Sequence, residues 1–257
     1  METKRKFTRR RFLGVAAAAV LGAGLGEAFV FEPHRLRVSH LRLADQPRTR
    51  FVVWSDFHYR GDADYAEEVV RTINGLQPEF VCFLGDLIDQ RIFQDAALEF
   101  IAKINRPVFG VPGNHDYATR SSFALNRKVF AATGGAWLVN QMARPAGDKL
   151  ELCGSAERNV GFIRPPGDLP RLLLTHYPIT ANETEGKTFA AVFAGHSHGG
   201  QVRLPLYGPV ALPRFVGRYD MGLFGTPAGP LYVNVGVGTY KVPARFNCPP
   251  EITVVEI

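Results

Sequence analysis

Unbroken apolar runs recur along the chain, each closed by a turn that carries polar side chains. They are Phe51 to Ser55 (FVVWS), Val81 to Leu84 (VCFL), Pro107 to Val111 (PVFGV), Arg171 to Leu174 (RLLL) and Ala190 to Ala194 (AAVFA). Runs of this length without alternation suit strands buried on both faces, as in sheets covered by helices. Leu36 to Leu43 (LRVSHLRL) instead alternates, which predicts a half-exposed strand. Helical spacing appears at 63–74, where Tyr65, Ala66, Val69, Val70 and Ile73 form one apolar face, and helices are also expected over 96–104 and 121–132. Two strands, 136–141 and 149–153, are expected around a polar turn, with a surface loop over 154–168.

The stretch Val81 to Asp89 (VCFLGDLID) is the centre of this pattern. Gly85 allows a sharp turn at the end of the strand and delivers Asp86 at its carboxyl edge, where layered α/β folds bind ligands. A carboxylate there is a poor core residue and a good metal ligand. The other runs end comparably, in Asp56 and His58, in Asn114-His115-Asp116, in His176, and in His196 and His198. Asp56 and His58 share a face if the extended geometry continues through Phe57. Each turn alone is ordinary loop chemistry. Five coincidences at five strand ends are less plausible than one shared site, and five of the seven histidines fall in these turns. His34 and His40 do not, and both read as surface or strand residues. Carboxylate, imidazole and amide oxygen donors together suit Mn, Fe or Zn better than Mg or Ca.

Composition changes the picture mainly at the N-terminus. With 257 residues, 46% hydrophobic and 21% charged, the chain fits one globular domain with a substantial core. The net charge of +6 is largely carried by Lys4, Arg5, Lys6, Arg9, Arg10 and Arg11; from residue 28 onward, 24 basic residues face 22 acidic ones. A body this close to neutral makes no electrostatic case for nucleic acid. Behind the basic residues, Phe12 to Leu25 (FLGVAAAAVLGAGL) is apolar, but its 14 residues fall short of the roughly 20 that span a bilayer. Residues 1–28 therefore read as a secretory signal, or as an anchor if uncleaved. Three cysteines without close spacing make no disulfide framework and no cysteine-ligated zinc site, although a Cys153–Cys248 bridge stays open.

Two resemblances follow from these residues. Thr8-Arg9-Arg10-Arg11-Phe12-Leu13 resembles the twin-arginine export signal, which implies passage of a folded protein through that machinery to the periplasm or cell envelope. The ordered set DxH, GDxxD, GNHD, a lone histidine after a strand and GHxH, over residues 35–257, resembles the calcineurin-like metallophosphoesterases. GHSHGGQVRLPLYGP and the closing GVGTYKVPARFNCPPEITVVEI resemble a bacterial subgroup of exported or membrane-associated phosphodiesterases and UDP-diacylglucosamine pyrophosphatase-like enzymes. The family implies a four-layer α-β-β-α sandwich of two mixed sheets flanked by helices. It also implies two divalent transition metal ions: Asp56, His58 and His198 on one, Asn114, His176 and His196 on the other, and Asp86 bridging both. Such a pair holds a hydroxide for in-line attack and polarises the phosphoryl oxygens. His115 is then the candidate general acid and Asp116 the group that orients it or raises its pKa. Asp89 either holds a ligand in position or caps a helix.

Departures from the family patterns bear on substrate. Gln90-Arg91 after Asp89, and Asp116 closing its motif, lie outside the usual serine/threonine phosphatase pattern, while THYP replaces the common SHNP and sets Tyr177 in the pocket. The apolar segment with Leu204, Leu206, Tyr207, Phe215, Val216, Tyr219, Leu223 and Phe224 is either core or a rim for acyl chains or a membrane surface. The expectation is a hydrolase for phosphodiester or pyrophosphate bonds, with a lipid-linked substrate in view. A phosphomonoesterase or nucleotidase is the alternative enzyme, and a metal-binding scaffold the alternative of another class.

Overall fold

Two large sheets and a small hairpin take up fourteen strands, alongside five α-helices, in a computed structural model that describes residues 9–145 and 149–257. The basic segment before Arg9, and part of the turn expected between 141 and 149, lie outside those residues. The first five strands are β1 (Arg37–Arg42), β2 (Arg50–Trp54), β3 (Val81–Phe83), β4 (Val108–Gly110) and β5 (Ala136–Trp137). They form one sheet of order β1-β14-β2-β3-β4-β5, joined by the last strand of the chain, β14 (Glu251–Glu256). The second sheet follows in sequence: β6 (Gln141–Ala143), β7 (Glu151–Ser155), β8 (Arg171–Thr175) and β9 (Ala191–Ala194), then β12 (Gly222–Thr226) and β13 (Gly229–Val233), in the order β12-β13-β9-β8-β7-β6. Between them β10 (Arg203–Leu204) and β11 (Gly208–Pro209) make the separate two-stranded hairpin. Both large sheets are mixed: β2 to β5 and β7 to β9 run parallel, while β14 against β2 and β6 against β7 run antiparallel.

The strands explain their own lack of alternation, because both faces are covered. Phe51, Val53, Cys82, Leu84, Leu172, Leu174 and Phe193 point between the sheets. Val52, Trp54, Val81 and Phe83 point outward onto helices α2 (Ala63–Gly75), α3 (Gln94–Ala102) and α5 (Phe123–Ala132). Asp62 caps α2 by accepting the Tyr65 N–H, and Ser122 caps α5. The outer face of the second sheet, with Leu173, Val192 and Leu231, is covered more thinly, by the 3₁₀ turn Pro178–Asn182 and by loops carrying Ile163, Phe189 and Tyr219.

Several expectations change in detail. The strand expected over 136–141 divides, because the chain crosses from one sheet to the other at residues 138–140. Leu138 drops into the inter-sheet core, and Asn140 adopts a left-handed φ of 55° that starts the reversal. Asn114–Ala118 forms a short helix, α4, where a plain loop was expected. The apolar segment near 204–224 splits between its two readings: Val216 and Tyr219 are buried, and Leu204, Leu206, Tyr207, Phe215 and Leu223 are exposed. All three cysteines are free and buried.

The largest revision concerns the N-terminus. Helix α1 (Arg9–Gly26) does not stop at Leu25 but continues through a π turn, Glu27–Phe31, and a 3₁₀ turn, Glu32–His34. Phe12–His34 is then a 23-residue helical stretch long and apolar enough to cross a membrane. Counting apolar residues underestimated it because Glu27 interrupts the composition, whereas Phe29, Val30 and Phe31 resume it on the same helix.

Leu172→Ala, in the fully buried layer between the sheets, is expected to cost roughly 2–5 kcal/mol through lost burial and a residual cavity. Urea unfolding should show a lower midpoint with an unchanged slope.

Candidate metal centre

The parallel strands β2, β3 and β4 place their carboxyl ends side by side, and the loops after them stay paired. The Asp56 N–H donates to the Gly85 carbonyl at 2.9 Å, and the His58 N–H to the Asp86 carbonyl at 3.0 Å. These loops are not extended. Asp56 (φ 50°), His58 (φ 43°) and Asp86 (φ 60°) are all left-handed, as are His196 (φ 67°) and His198 (φ 50°) in the turn after β9. Asp56 and His58 therefore converge, with Nε2 4.0 Å from Oδ1, through two left-handed residues and not through the alternation of a continuing strand. A left-handed conformation costs a non-glycine residue of order 1–3 kcal/mol, and strain of this kind concentrates at functional sites. Close approach of the loops needs two glycines. A Cβ on Gly85 would lie 2.5 Å from the Gly113 nitrogen, and one on Gly113 would lie 2.2 Å from Asp86 Oδ1.

The structure brings all seven expected ligands together in two adjoining groups. Asp56, His58 and His198 form one and Asp86, His176 and His196 the other, within ligand-sharing distance and all buried. His198 Nε2 is 3.4 Å from Asp56 Oδ1 and 3.2 Å from His58 Nε2. In the second group His176 Nε2 is 3.0 Å from Asn114 Oδ1 and 3.1 Å from His196 Nδ1. Asp86 stands between them: Oδ2 is 3.4 Å from His58 Nε2 and 3.3 Å from His176 Nε2.

The outward ring nitrogens fix the tautomers. A carbonyl only accepts, so His176 donates Nδ1–H to the Leu84 carbonyl at 2.8 Å, and His196 donates Nε2–H to that of Arg214 at 2.7 Å. His58 gives Nδ1–H to Asp89 Oδ1 at 2.7 Å. Each leaves its other nitrogen facing the group, which is how metal-binding histidines are oriented. His198 Nδ1 is buried with no hydrogen-bond partner among the described residues. Four imidazole nitrogens crowded beside two buried carboxylates fit divalent cations better than a self-sufficient polar core.

Protonation follows from burial and these neighbours. Burial raises Asp86, but the charge and hydrogen bond of His176, with His58 beyond, pull its carboxyl well below the usual range. Burial likewise favours neutral His176, yet in the metal-free chain Asp86 overrides it and holds the imidazole up at about 9, so that Nε2 carries a proton which a bound cation would displace to free the lone pair. Burial and the His176 charge push His196 down to about 3, and burial with the His58 charge pushes His198 well below its ordinary value.

His115 and Asp116 are placed differently from each other. Asp116 does not face His115. Its carboxylate accepts backbone N–H groups from Asp86 (2.9 Å), Leu87 (3.2 Å) and Gly113 (2.8 Å), closing the first turn of α4 onto the loop after β3. Burial and nearby Asp86 push it up to about 7, opposed by those donors. The carboxylate near His115 is Asp89, with Oδ1 3.5 Å from Nδ1, and Asp89 also pairs with Arg60 at 2.6 Å. Asp89 does not cap a helix, since the next helical turn begins at Arg91 with Gln90 preceding it. Burial and the His58 charge lower His115, against Asp86 and Asp89, which raise it.

Sequence reasoning missed Tyr240. Its ring lies edge-on to His115 at 4.7 Å and beside His58 at 5.7 Å, forming one wall of the site. It follows β13 in a glycine-rich segment with no periodic pattern, so only its place in GVGTYKVP marked it. Arg214, whose carbonyl holds His196, was also unmarked, because a backbone acceptor leaves no trace in residue type.

Asp116→Ala strands three buried N–H groups, each worth about 1–3 kcal/mol, and should lower the melting temperature sharply. Asp89→Ala strands one buried N–H, that of His58, and should lower the melting temperature of the metal-free chain less than Asp116→Ala while weakening metal affinity about 10–100-fold. Calorimetry and metal titration on the two variants separate these effects.

Comparison with known proteins agrees with this geometry. Residues 49–200 match the family described as calcineurin-like phosphoesterase. An uncharacterised metallophosphoesterase of Bacillus subtilis, YkuE, is 31% identical over 97% of this chain and 97% of its own. The phosphodiesterase YaeI of Escherichia coli is 29% identical over 97% of this chain and 99% of its own. The UDP-2,3-diacylglucosamine pyrophosphatase LpxG of Chlamydia trachomatis is 25% identical over 86% and 89% respectively. With its strand-end ligand groups and this match across more than half its length, the chain belongs to the calcineurin-like phosphoesterase family.

Proposed function

We propose that the chain hydrolyses phosphodiester or pyrophosphate bonds with two divalent transition metal ions, drawn from Mn, Fe and Zn, and that its substrate is lipid-linked. One observation carries the reading: Asp86 Oδ2 stands 3.3–3.4 Å from an imidazole nitrogen of each ligand group, the position of a shared ligand. Asp56, His58 and His198 would hold one ion and Asn114, His176 and His196 the other. Bound there, the ions would supply a nucleophile at neutral pH and withdraw charge from the phosphoryl oxygens during in-line displacement.

The chain supplies the rest. Asp89 faces His115 Nδ1 at 3.5 Å, which leaves Nε2 to give its proton to the departing oxygen. The His115 N–H donates to Asp86 Oδ1 at 2.7 Å, tying the acid to the shared carboxylate. Tyr240 packs over His115, His58 and His198 and limits water on that side. The relatives named phosphodiesterase and pyrophosphatase support cleavage of a bond between phosphorus and a substituted oxygen, and the second of them supports a lipid-linked substrate. Residues 1–28 would be a twin-arginine-type signal or anchor, delivering the domain of residues 35–257 to the periplasm or cell envelope.

The test is hydrolysis of bis-p-nitrophenyl phosphate beside p-nitrophenyl phosphate, after metal removal and return of Mn, Zn, Fe or Mg. The diester should be preferred, activity should require metal, and Asp86→Ala should abolish it. His115→Ala should cost about 10²–10⁴ in rate with an alkyl leaving group and much less with p-nitrophenolate, which needs little protonation. Preference for the monoester would favour the phosphatase alternative, and metal binding without turnover the scaffold.

A further inference from the structure

We propose that the chain seats on a lipid bilayer at two points, the N-terminal helix and the apolar loop of residues 204–212, so that the metal cleft opens at the headgroup layer. This rests on the hydrolase reading only for what the cleft would receive.

The foot of the helix is part of the domain. Glu32 is buried, and its carboxylate accepts the backbone N–H groups of Asn247 and Cys248. The Ala28 carbonyl accepts the Arg245 N–H at 2.9 Å. Arg245 is itself fully buried, and its guanidinium donates to the carbonyls of Val235, Gly236 and Cys248. Cys248 donates its thiol to the carbonyl of His198. The helix is thus clamped by residues 28–34 onto the loop that supports a candidate metal ligand, and its outward part, with Phe12, Leu13, Val15, Leu21 and Leu25 exposed, is apolar enough to enter a bilayer.

The apolar loop leaves from the same place. Phe246, next to the Glu32 partners, accepts the Arg203 N–H and donates to Gln201 at the base of the β10–β11 hairpin. The hairpin presents Leu206, fully exposed, and Tyr207, 74% exposed, followed by Val210 and Leu212. Such side chains are costly in water, and five exposed apolar residues from 204 to 212 form one run. Beside the loop Arg214 and Arg218 are exposed, a charge that complements anionic headgroups, whereas Arg203 is paired with Asp220 at 2.8 Å. Both points border the candidate metal ligands. One cleft, about 190 Å³, lies between Phe29, Pro33 and His34 of the helix foot and His58. The other, about 400 Å³, runs from His196 and His198 to Leu212 and Arg214. Residues 237–243 wall both clefts. A substrate with its phosphate at the metals and its acyl chains in the bilayer fits this arrangement.

The test reconstitutes the full chain in nanodiscs of phosphatidylethanolamine and phosphatidylglycerol with brominated acyl chains. Trp54 and Trp137 are buried and supply a constant background. The reporters are Leu206→Trp and, in case that variant misfolds, Tyr207→Trp; Gln46→Trp, exposed before β2 at the far end of the sheet, is the control. Brominated lipid should quench the added indole of Leu206→Trp and of Tyr207→Trp, and should leave that of Gln46→Trp unquenched. Reporters as unquenched as the control would overturn the proposal. So would reporters shielded without quenching in a particle of twice the mass, which would mean that a second copy covers the loop. Turnover of the soluble diester by the same samples reports separately on the hydrolase reading.

Discussion

The structure depends on keeping three carboxylates and four imidazoles together out of water at the carboxyl ends of parallel strands. Removing charge from water costs several kcal/mol per ion unless it is paired, so such a cluster persists only where each group constrains its neighbours. Asp86 is the constraint that joins the rest. It pairs with imidazoles from the loop after β2 and the loop after β8, and it takes the His115 N–H from α4. Asp116, behind it, commits its carboxylate to three backbone N–H groups and so holds the loops after β3 and β4 against each other. That contact accompanies the close approach of Gly85 to Gly113, and left-handed backbone turns Asp56, His58, Asp86, His196 and His198 inward.

The two sheets provide the rigidity this strain requires. Every strand that ends in a ligand is buried on both faces, and the inter-sheet layer of Phe, Leu and Val fixes the relative height of the strand ends. Divalent ions would take up the lone pairs that the Leu84, Arg214 and Asp89 acceptors leave facing inward. The site is therefore prepared by hydrogen bonds directed away from it, and the chemistry proposed for it follows from the shared position of Asp86.

What was legible in the sequence was what residue type and periodicity encode. The buried strands stood out because apolar runs end abruptly in Asp, Asn and His, and the convergence of those ends is a property of parallel strands. What depended on backbone conformation was not legible. The DxH pair reads as a strand pattern, whereas Asp56 and His58 meet through left-handed residues. Asp116 lies beside His115 in sequence, yet α4 turns its carboxylate toward the backbone, and Asp89, from another loop, takes the place beside His115. The helix of residues 12–34 was cut short because a single Glu27 weighs more in a count of apolar residues than in a helix. Tyr240 was invisible because aperiodic loops carry no information about what they cover.

The most direct test of the central claim, that Asp86 is shared by two ions, is electron paramagnetic resonance of the chain loaded with Mn(II), alongside a count of metal per chain. Two ions per chain with a spin-coupled spectrum, reduced to one uncoupled ion or none in Asp86→Ala, is the predicted result. One uncoupled ion in the unmodified chain, or two ions that remain coupled in Asp86→Ala, would contradict it.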